Sequence, residues 1–388
     1  MKKALLLNVL YKPNIGGVEN SIFEISKKLV DKGYIVDILC SDRNNEDSSI
    51  LEKASTMDGV NIYRYKYDYG RFSFVINILN SRKLIKDLTE KRLYSLVISR
   101  SYFLVISGTL SGLKNINYIP PEVSYYSKKG KKRSSSIKEY SSTNVKLFMQ
   151  WLALIASKNV FVFSESMFNQ VKGISLNKVL PPIINPGVNL ERFSVASLEE
   201  KEELKSVYNI PTNKNIILAL GRFSEIKQFD IAIKAMKLLS NNYVLILVGS
   251  GPELETYKNI VSKNKLETKV LIFNSTSEPE NFYKLADVFL MISRYESFGQ
   301  TILEACISGL KIVSFSHKSG ANTNAELMLA GCKGVHFIDE QSITALAKAI
   351  EETSLDNQSS YSIFSHNQNL LKKRYSWDRF LAMIESYQ

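Results

Sequence analysis

Two α/β units in series, each a parallel sheet flanked by helices, is the fold class that this 388-residue sequence predicts. Apolar runs of strand length alternate with stretches of helical periodicity, as they do where crossover helices join parallel strands. The alternation runs once up to Leu180 and restarts after Pro181-Pro182. The length also exceeds what one hydrophobic core organises, so two domains, with three as the outer limit, are expected.

In the first unit, residues 4–9 read as a buried strand. Val18, Ile22, Ile25 and Leu29 then fall on one helical face, Gly33 closes that helix, and residues 35–40 read as the next strand. A helix with Val75, Ile78, Leu79, Ile85 and Leu88 on its inner side precedes strands at 96–99, 116–119 and 160–163. The Ser- and Lys-rich stretch 127–143 reads as a loop or an insertion. In the second unit, the strand at 215–220 is followed by a helical stripe of Phe229, Ala232, Met236 and Leu239. Strands follow at 243–248, 270–273, 288–292, 311–315 and 335–338. The expected division is 1–188 and 189–372, with a final stretch at 373–388.

Composition narrows the function classes. Hydrophobic residues at 45% and charged ones at 23% exclude a disordered or fibrous chain. The net charge of +12 is unevenly held: residues 1–188 carry 28 basic and 15 acidic side chains, and residues 189–388 carry 22 and 23. The first half should therefore meet something anionic, whether a phosphate, a nucleic acid or a membrane surface. Cys40, Cys306 and Cys332 show no CxxC spacing, so neither a disulfide framework nor a zinc site is expected. His317, His336 and His366 all lie in the second half, which leaves the first without a histidine base. The apolar run after Met1-Lys2-Lys3 is short and lacks a cleavage site, and no stretch approaches the ~20 apolar residues of a membrane span. A cytoplasmic location is expected.

Four segments could carry chemistry, and each follows a strand. Gly16-Gly17, before the first helix, lets backbone N–H groups approach an anion at a helix N-terminus; the plainer reading is a tight turn. In Gly221-Arg222 with Lys227, two cations at a strand mouth suit a diphosphate, though solvated surface charges would look the same. Gly249-Ser250-Gly251-Pro252 is a lone GxG, a turn beside a nucleotide base or simply a turn. The most informative segment runs from Ser293 through Glu296, Ser297, Phe298, Gly299, Gln300 and Thr301 to Glu304 and Ala305. Its two glutamates, eight steps apart, would stand roughly 12 Å from each other on a helix. That fits a sugar at Glu296, a ribose at Glu304 and a diphosphate over the helix N-terminus between them. A capping box at Ser297-x-x-Gln300 with Glu304 as a first-turn acid is the alternative.

In this order the segments resemble the retaining glycosyltransferases of the GT-B fold, the group 1 or family 4 type found in bacterial surface-polysaccharide synthesis. The resemblance also takes in Val162-Phe163-Ser164-Glu165, Ile184-Asn185-Pro186-Gly187-Val188-Asn189, Glu191-Arg192-Phe193, Ala286-Asp287 and Trp377. It implies two Rossmann-like doubly wound domains facing a central cleft, the first for the acceptor and the second for a nucleotide-sugar donor, with the terminal helix in 373–388 packing back on the first. Arg222 and Lys227 would grip the diphosphate, Glu304 would hold the ribose and Glu296 would lie at the sugar. Gly221, Gly249, Gly251 and the segment Ser297–Thr301 would line the donor, and Gly16 and Gly17 would close on it. No cofactor or metal is implied, because cations and a helix end neutralise the leaving group. The sequence departs from the family at Ile119-Pro120-Pro121-Glu122, where many relatives carry a histidine. Either Glu122 takes a polar role on the acceptor side or the position is dispensable.

The reaction implied is transfer of a hexosyl or N-acetylhexosaminyl unit, with retention, to a hydroxyl of a glycan or polyprenyl-linked glycan. The alternative is a catalytically silent glycan-binding or scaffold subunit of the same fold. A two-carboxylate glycosidase is disfavoured, since these acids lie along one helix rather than across a bond. A nucleic-acid partner is not expected, as no recognition motif accompanies the basic charge. The basic run at 128–133 and the aromatic-rich helix at 147–155 suggest peripheral contact with an anionic membrane through residues 128–155.

Overall fold

The computed structural model describes residues 1–45, 47–123, 137–356 and 358–387. The chain divides into two compact units, Met1–Gly187 with Ser376–Gln388, and Val188–Tyr375. The first break falls one residue before the expected position, and the second falls between Tyr375 and Ser376.

The first unit is built on seven strands: β1 (Lys3–Leu7), β2 (Ile35–Ser41), β3 (Ala54–Met57), β4 (Val60–Tyr65), β5 (Leu96–Ser99), β6 (Ile116–Tyr118) and β7 (Asn159–Val160). Their order is β3-β4-β2-β1-β5-β6-β7, parallel throughout except for the β3–β4 edge pair. Ala4–Leu7 are fully buried, as strands covered on both faces must be. The helices are α1 (Gly17–Asp31), α2 (Ser73–Lys91), α3 (Tyr102–Leu110), α4 (Ile137–Ala156) and α5 (Glu165–Ile174).

Alternate strand residues feed two cores. On one side Ala4, Leu6, Val36 and Ile38 pack with Ile22, Ile25 and Leu29 of α1. Leu5, Leu7, Leu39 and Val97 pack on the other side with Ile85 and Leu88 of α2, Leu104 of α3, Leu154 of α4 and Val171 of α5. The α1 side is completed from the far end of the chain, by Trp377, Phe380, Leu381 and Ile384 of the terminal helix Trp377–Ser386. Glu385 of that helix accepts hydrogen bonds from Tyr34 Oη (2.8 Å) and Lys32 Nζ (3.2 Å).

Two sequence expectations change here. The hairpin β3–β4 was not anticipated: β3 is largely exposed and polar, so it lacks an apolar pattern, and its turn is set by Asp58 and Gly59 at positive φ. In α2, Ile85 and Leu88 are buried as expected, but Val75 and Leu79 are 55% exposed. The buried side of α2 is set by Asn77, Ser81, Ile85 and Leu88, a stripe that leaves Val75 and Leu79 on the opposite face.

The second unit carries six parallel strands: β8 (Asn215–Leu220), β9 (Tyr243–Val248), β10 (Val270–Phe273), β11 (Val288–Met291), β12 (Lys311–Phe315) and β13 (Val335–Ile338). Their order is β10-β9-β8-β11-β12-β13. The helices, in chain order, are α6 (Leu198–Val207), α7 (Phe229–Ala235), α8 (Leu254–Lys263), α9 (Pro279–Leu285), α10 (Gln300–Ile307), α11 (Ala325–Met328), α12 (Ile343–Leu355) and α13 (Ser360–Arg374). The terminal helix of the first unit is α14. Phe229, Ala232, Met236 and Leu239 enter one core with Tyr257, Leu346 and Ile350, as their spacing predicts.

Candidate active site

In an open parallel sheet a crevice opens where neighbouring connections leave in opposite directions. In the second unit that point lies between β8 and β11, since the chain proceeds from β8 to β9 on one side and from β11 to β12 on the other. The two strands pair only through Val288–Ile217 and Phe289–Leu218, so the loops that follow them are free to diverge. Those loops carry Gly221–Lys227 and Ser293–Gly299.

Backbone bonds lace the loops together. Arg294 N donates to Ile226 O (2.8 Å), Asn322 N to Arg294 O (2.8 Å) and Glu296 N to Asn322 O (3.1 Å). Across this frame Lys227 Nζ meets Glu296 Oε2 at 2.5 Å, and both side chains are largely buried. Ser293 Oγ lies 3.4 Å from the same carboxylate oxygen. Arg222 differs from Lys227: it is exposed, and its guanidinium has no ion pair among the described residues.

The glycine loop after β9 has a more local explanation than contact with a base. Phe223 N donates to Ser250 O, and Glu253 N to Phe223 O, so the 249–253 loop runs against the 221–223 loop. A Cβ at Gly249, where φ is +157°, would sit 2.0 Å from Gly221 O. Gly251 meets the Phe223 backbone in the same way. Both glycines permit this approach and so fix the shelf that carries Arg222.

Gly299, not Ser297, is the N-cap of α10, and it lies in the left-handed region. Phe298 is buried against Tyr375, with Ser297, Gln300 and Thr301 partly exposed around the helix start. Glu304 stands one turn in, and its Oε2 accepts from Tyr283 Oη at 2.9 Å. Burial, with Glu304 beside it, holds the Tyr283 phenol well above its usual range, so it remains a donor. Tyr283 was not singled out from sequence; the signal was its place on α9, three residues before Ala286-Asp287. Other matched motif residues have structural work. Asp287 accepts from Lys201 Nζ and from Ile216 N, and Arg192 pairs with Glu280.

The first unit has its own reversal point, between β1 and β5. Gly16 and Gly17 follow β1 there, and the Glu19 carboxylate folds back over the turn: a Cβ at Gly16 would lie 2.3 Å from Oε2. Arg100 follows β5 and was missed by the sequence reading. It is buried, donates to Ile119 O (3.0 Å) and Ser21 Oγ (2.8 Å), and lies 4.8 Å from the Phe163 ring centroid. Burial pulls its pKa down to about 10, still charged at neutral pH, while burial pushes Glu19 up. Glu122 is exposed, and its carbonyl accepts from Gln150. The basic run 128–133 lies outside the described residues. Among them, no helix is long and apolar enough to cross a membrane, and no cluster of three His, Cys, Asp or Glu side chains could hold a metal ion.

Comparison with known proteins converges on one family. Residues 200–370 match the family model described as glycosyl transferases group 1. An uncharacterized glycosyltransferase of Haemophilus influenzae is 23% identical over 373 residues, 94% of each chain. The UDP-Gal:alpha-D-GlcNAc-diphosphoundecaprenol alpha-1,3-galactosyltransferase of Escherichia coli is 24% identical over 332 residues, 80% of this chain and 79% of that one. Among solved structures, Anabaena HepE in complex with UDP-glucose aligns with a TM-score of 0.76 at 16% identity, covering 100% of this chain and 99% of that one. Residues 200–370 are thus similar to glycosyl transferases group 1, and the two Rossmann-like units have the fold of the solved GT-B glycosyltransferases.

Proposed function

We propose that the protein is a retaining glycosyltransferase that moves a hexosyl or N-acetylhexosaminyl unit from a nucleotide-diphosphate sugar to a hydroxyl of a lipid-linked glycan in surface-polysaccharide synthesis. The observation that carries the reading is the Lys227–Glu296 pair, set at the reversal point of the second sheet and followed one turn into α10 by Glu304. A uridine diphosphate donor and a polyprenyl-diphosphate acceptor are favoured by what the E. coli relative's name states and by the ligand of the Anabaena structure.

The chemistry follows from charge. As the anomeric bond lengthens, negative charge gathers on the leaving diphosphate, and prepositioned cations stabilise that state more than the ground state. Lys227, held in place by Glu296, and the exposed Arg222 supply the cations, and the N-terminus of α10 adds its dipole. Glu296 accepts hydrogen bonds from the sugar, Glu304 from the ribose, and Tyr283 fixes the Glu304 rotamer. Gly221 and the Ser297–Thr301 backbone complete the donor contacts of the second unit, and Glu122 of the first unit takes a polar role towards the acceptor. The cations take the role a metal has elsewhere, so turnover in excess EDTA should equal that in buffer; loss of turnover with EDTA, restored by Mg²⁺, would contradict it.

The direct test is product formation from UDP-sugars and a polyprenyl-diphosphate-linked saccharide, read by mass spectrometry. Arg222→Ala or Lys227→Ala should lower turnover by about 10²–10³ while the chain stays folded, as circular dichroism would show. Near-wild-type turnover in both variants at saturating donor would remove this mechanism. Neither transfer nor donor hydrolysis with any nucleotide sugar would favour a silent binding subunit.

A further inference from the structure

The two cysteines of the second unit have no CxxC spacing and meet only in the fold. Cys306 lies in the last turn of α10 and is fully buried, whereas Cys332 lies in the loop between α11 and β13 and is partly exposed. Both are free thiols, and the Cys306 thiol is hydrogen-bonded to the Cys332 sulfur. Helix α13, which packs against α10, holds the loop in place. Asn367, itself fully buried, donates to Cys306 Sγ (3.2 Å) and to Lys333 O (3.1 Å), and it accepts from Lys333 N (2.8 Å). Nearby, His366 Nε2 lies 2.9 Å from Gly331 O, and Arg374 Nη1 donates to Ala330 O at 2.7 Å. One asparagine thus braces both sulfur-bearing segments, and the sulfurs are held together without a covalent bond.

The two sulfurs are not equivalent. The bond to Cys332, together with burial, holds the Cys306 thiol well above its usual range. The same bond, aided by the charge of Arg374, draws Cys332 below its own. Cys332 is thus the partly exposed sulfur with thiolate character, and Cys306 is the protonated partner behind it. An attacking thiol beside a resolving thiol is arranged in this way. Cys40, the third cysteine, is buried in β2 of the first unit, where burial pushes it up to about 12.

We propose that Cys306 and Cys332 are a reversible redox pair, which hydrogen peroxide closes to a disulfide between the end of α10 and the 330–333 loop. The Cys332 sulfur attacks the peroxide and the O–O bond breaks. One oxygen stays on sulfur as a sulfenic acid, and the other leaves as water with the thiol proton. The Cys306 sulfur then displaces the sulfenic oxygen, which departs as a second water carrying the Cys306 proton. Two thiols lose two electrons, and the peroxide is reduced to two waters. The closed bond, about 2.05 Å long, ties α10 to the loop. Its bearing on the enzyme is through α10, which carries Glu304 and begins at Gly299. That link rests on the transfer reading above; the disulfide does not.

The test is intact mass and peptide mapping of the full chain after brief exposure to hydrogen peroxide. The wild-type chain should lose two hydrogens as a monomer, with the Cys306 and Cys332 peptides linked and Cys40 still a free thiol. Dithiothreitol should restore the starting mass. In Cys306→Ser the reaction should stop at the sulfenic acid of Cys332, captured by dimedone, and Cys332→Ser should give neither product. Circular dichroism verifies that each variant is folded, and the wild-type map needs neither variant. Amide exchange in 304–309 and 330–334 should slow about 10-fold on oxidation, because a cross-link restrains local opening. No linked pair in the wild type, a disulfide-linked dimer in its place, dimedone capture in Cys332→Ser equal to that in Cys306→Ser, or unchanged exchange on oxidation would overturn the proposal. Thermal shift by UDP is read separately on the reduced chain: its absence would count against donor binding and leave the disulfide untouched.

Discussion

At Lys227 and Glu296, charge and burial decide what the residues can do. A cation and a carboxylate 2.5 Å apart, both largely buried, hold each other's rotamers before any ligand arrives. Glu296→Gln should therefore loosen Lys227 and lower turnover, and the deficit should be smaller than in Lys227→Ala, where the cation itself is lost. Steady-state kinetics on the pair would show the order. These residues were legible in the sequence because each is charged and each follows an apolar strand. Arg100 also follows a strand, yet it read as an ordinary strand end. What sets it apart is burial by Ser21 and Phe163, contacts that appear only once α1 and β7 have been placed. Arg100→Met should cost about 1–3 kcal/mol of first-unit stability by stranding Ser21, the Ile119 carbonyl and the half-buried Glu19, as measured by denaturant unfolding.

Strands were legible where an apolar run marks them. β8, β9 and β12 are buried along most of their length and begin and end where their runs do, and the half-buried edge strands β10 and β13 keep enough apolar residues to be bounded in the same way. β3 is an exposed edge strand and offered no such run. For α2 the periodicity was correct and Ile78, Ile85 and Leu88 face the core, but Val75 and Leu79 do not, since the inner side of the first turns is taken by Asn77 and Ser81, buried polar residues with internal partners. Asn77 bonds the Asp68 backbone, and Ser81 Oγ bonds Ser107 Oγ. Apolar pattern alone cannot distinguish a face covered by protein from one covered by something else. The glycine shelf gives a sharp expectation at this scale. Gly249→Ala needs a conformation that costs about 1–3 kcal/mol and adds a clash with Gly221 O. The second unit should melt at lower temperature and the first should not, as seen by hydrogen exchange resolved along the chain.

Over the whole chain, the same device appears twice: a parallel sheet whose order reverses beside its first strand, with charged side chains in the loops at that point. Membership of a two-sheet α/β class was readable from alternation and length alone. The return of the last helix to the first unit rested on the family resemblance, and its physical basis is the apolar face of Trp377, Phe380, Leu381 and Ile384. A chain ending at Tyr375 should leave that core open, so amides of β1 and β2 should exchange quickly while β8–β13 stay protected. The most direct measurement of the donor site is hydrogen–deuterium exchange of the intact chain with and without saturating UDP. The expected result is slowed exchange in 221–228 and 293–305, absent in Lys227→Ala. Unchanged exchange in both segments while UDP is demonstrably bound would contradict the assignment of the donor to Arg222, Lys227, Glu296 and Glu304.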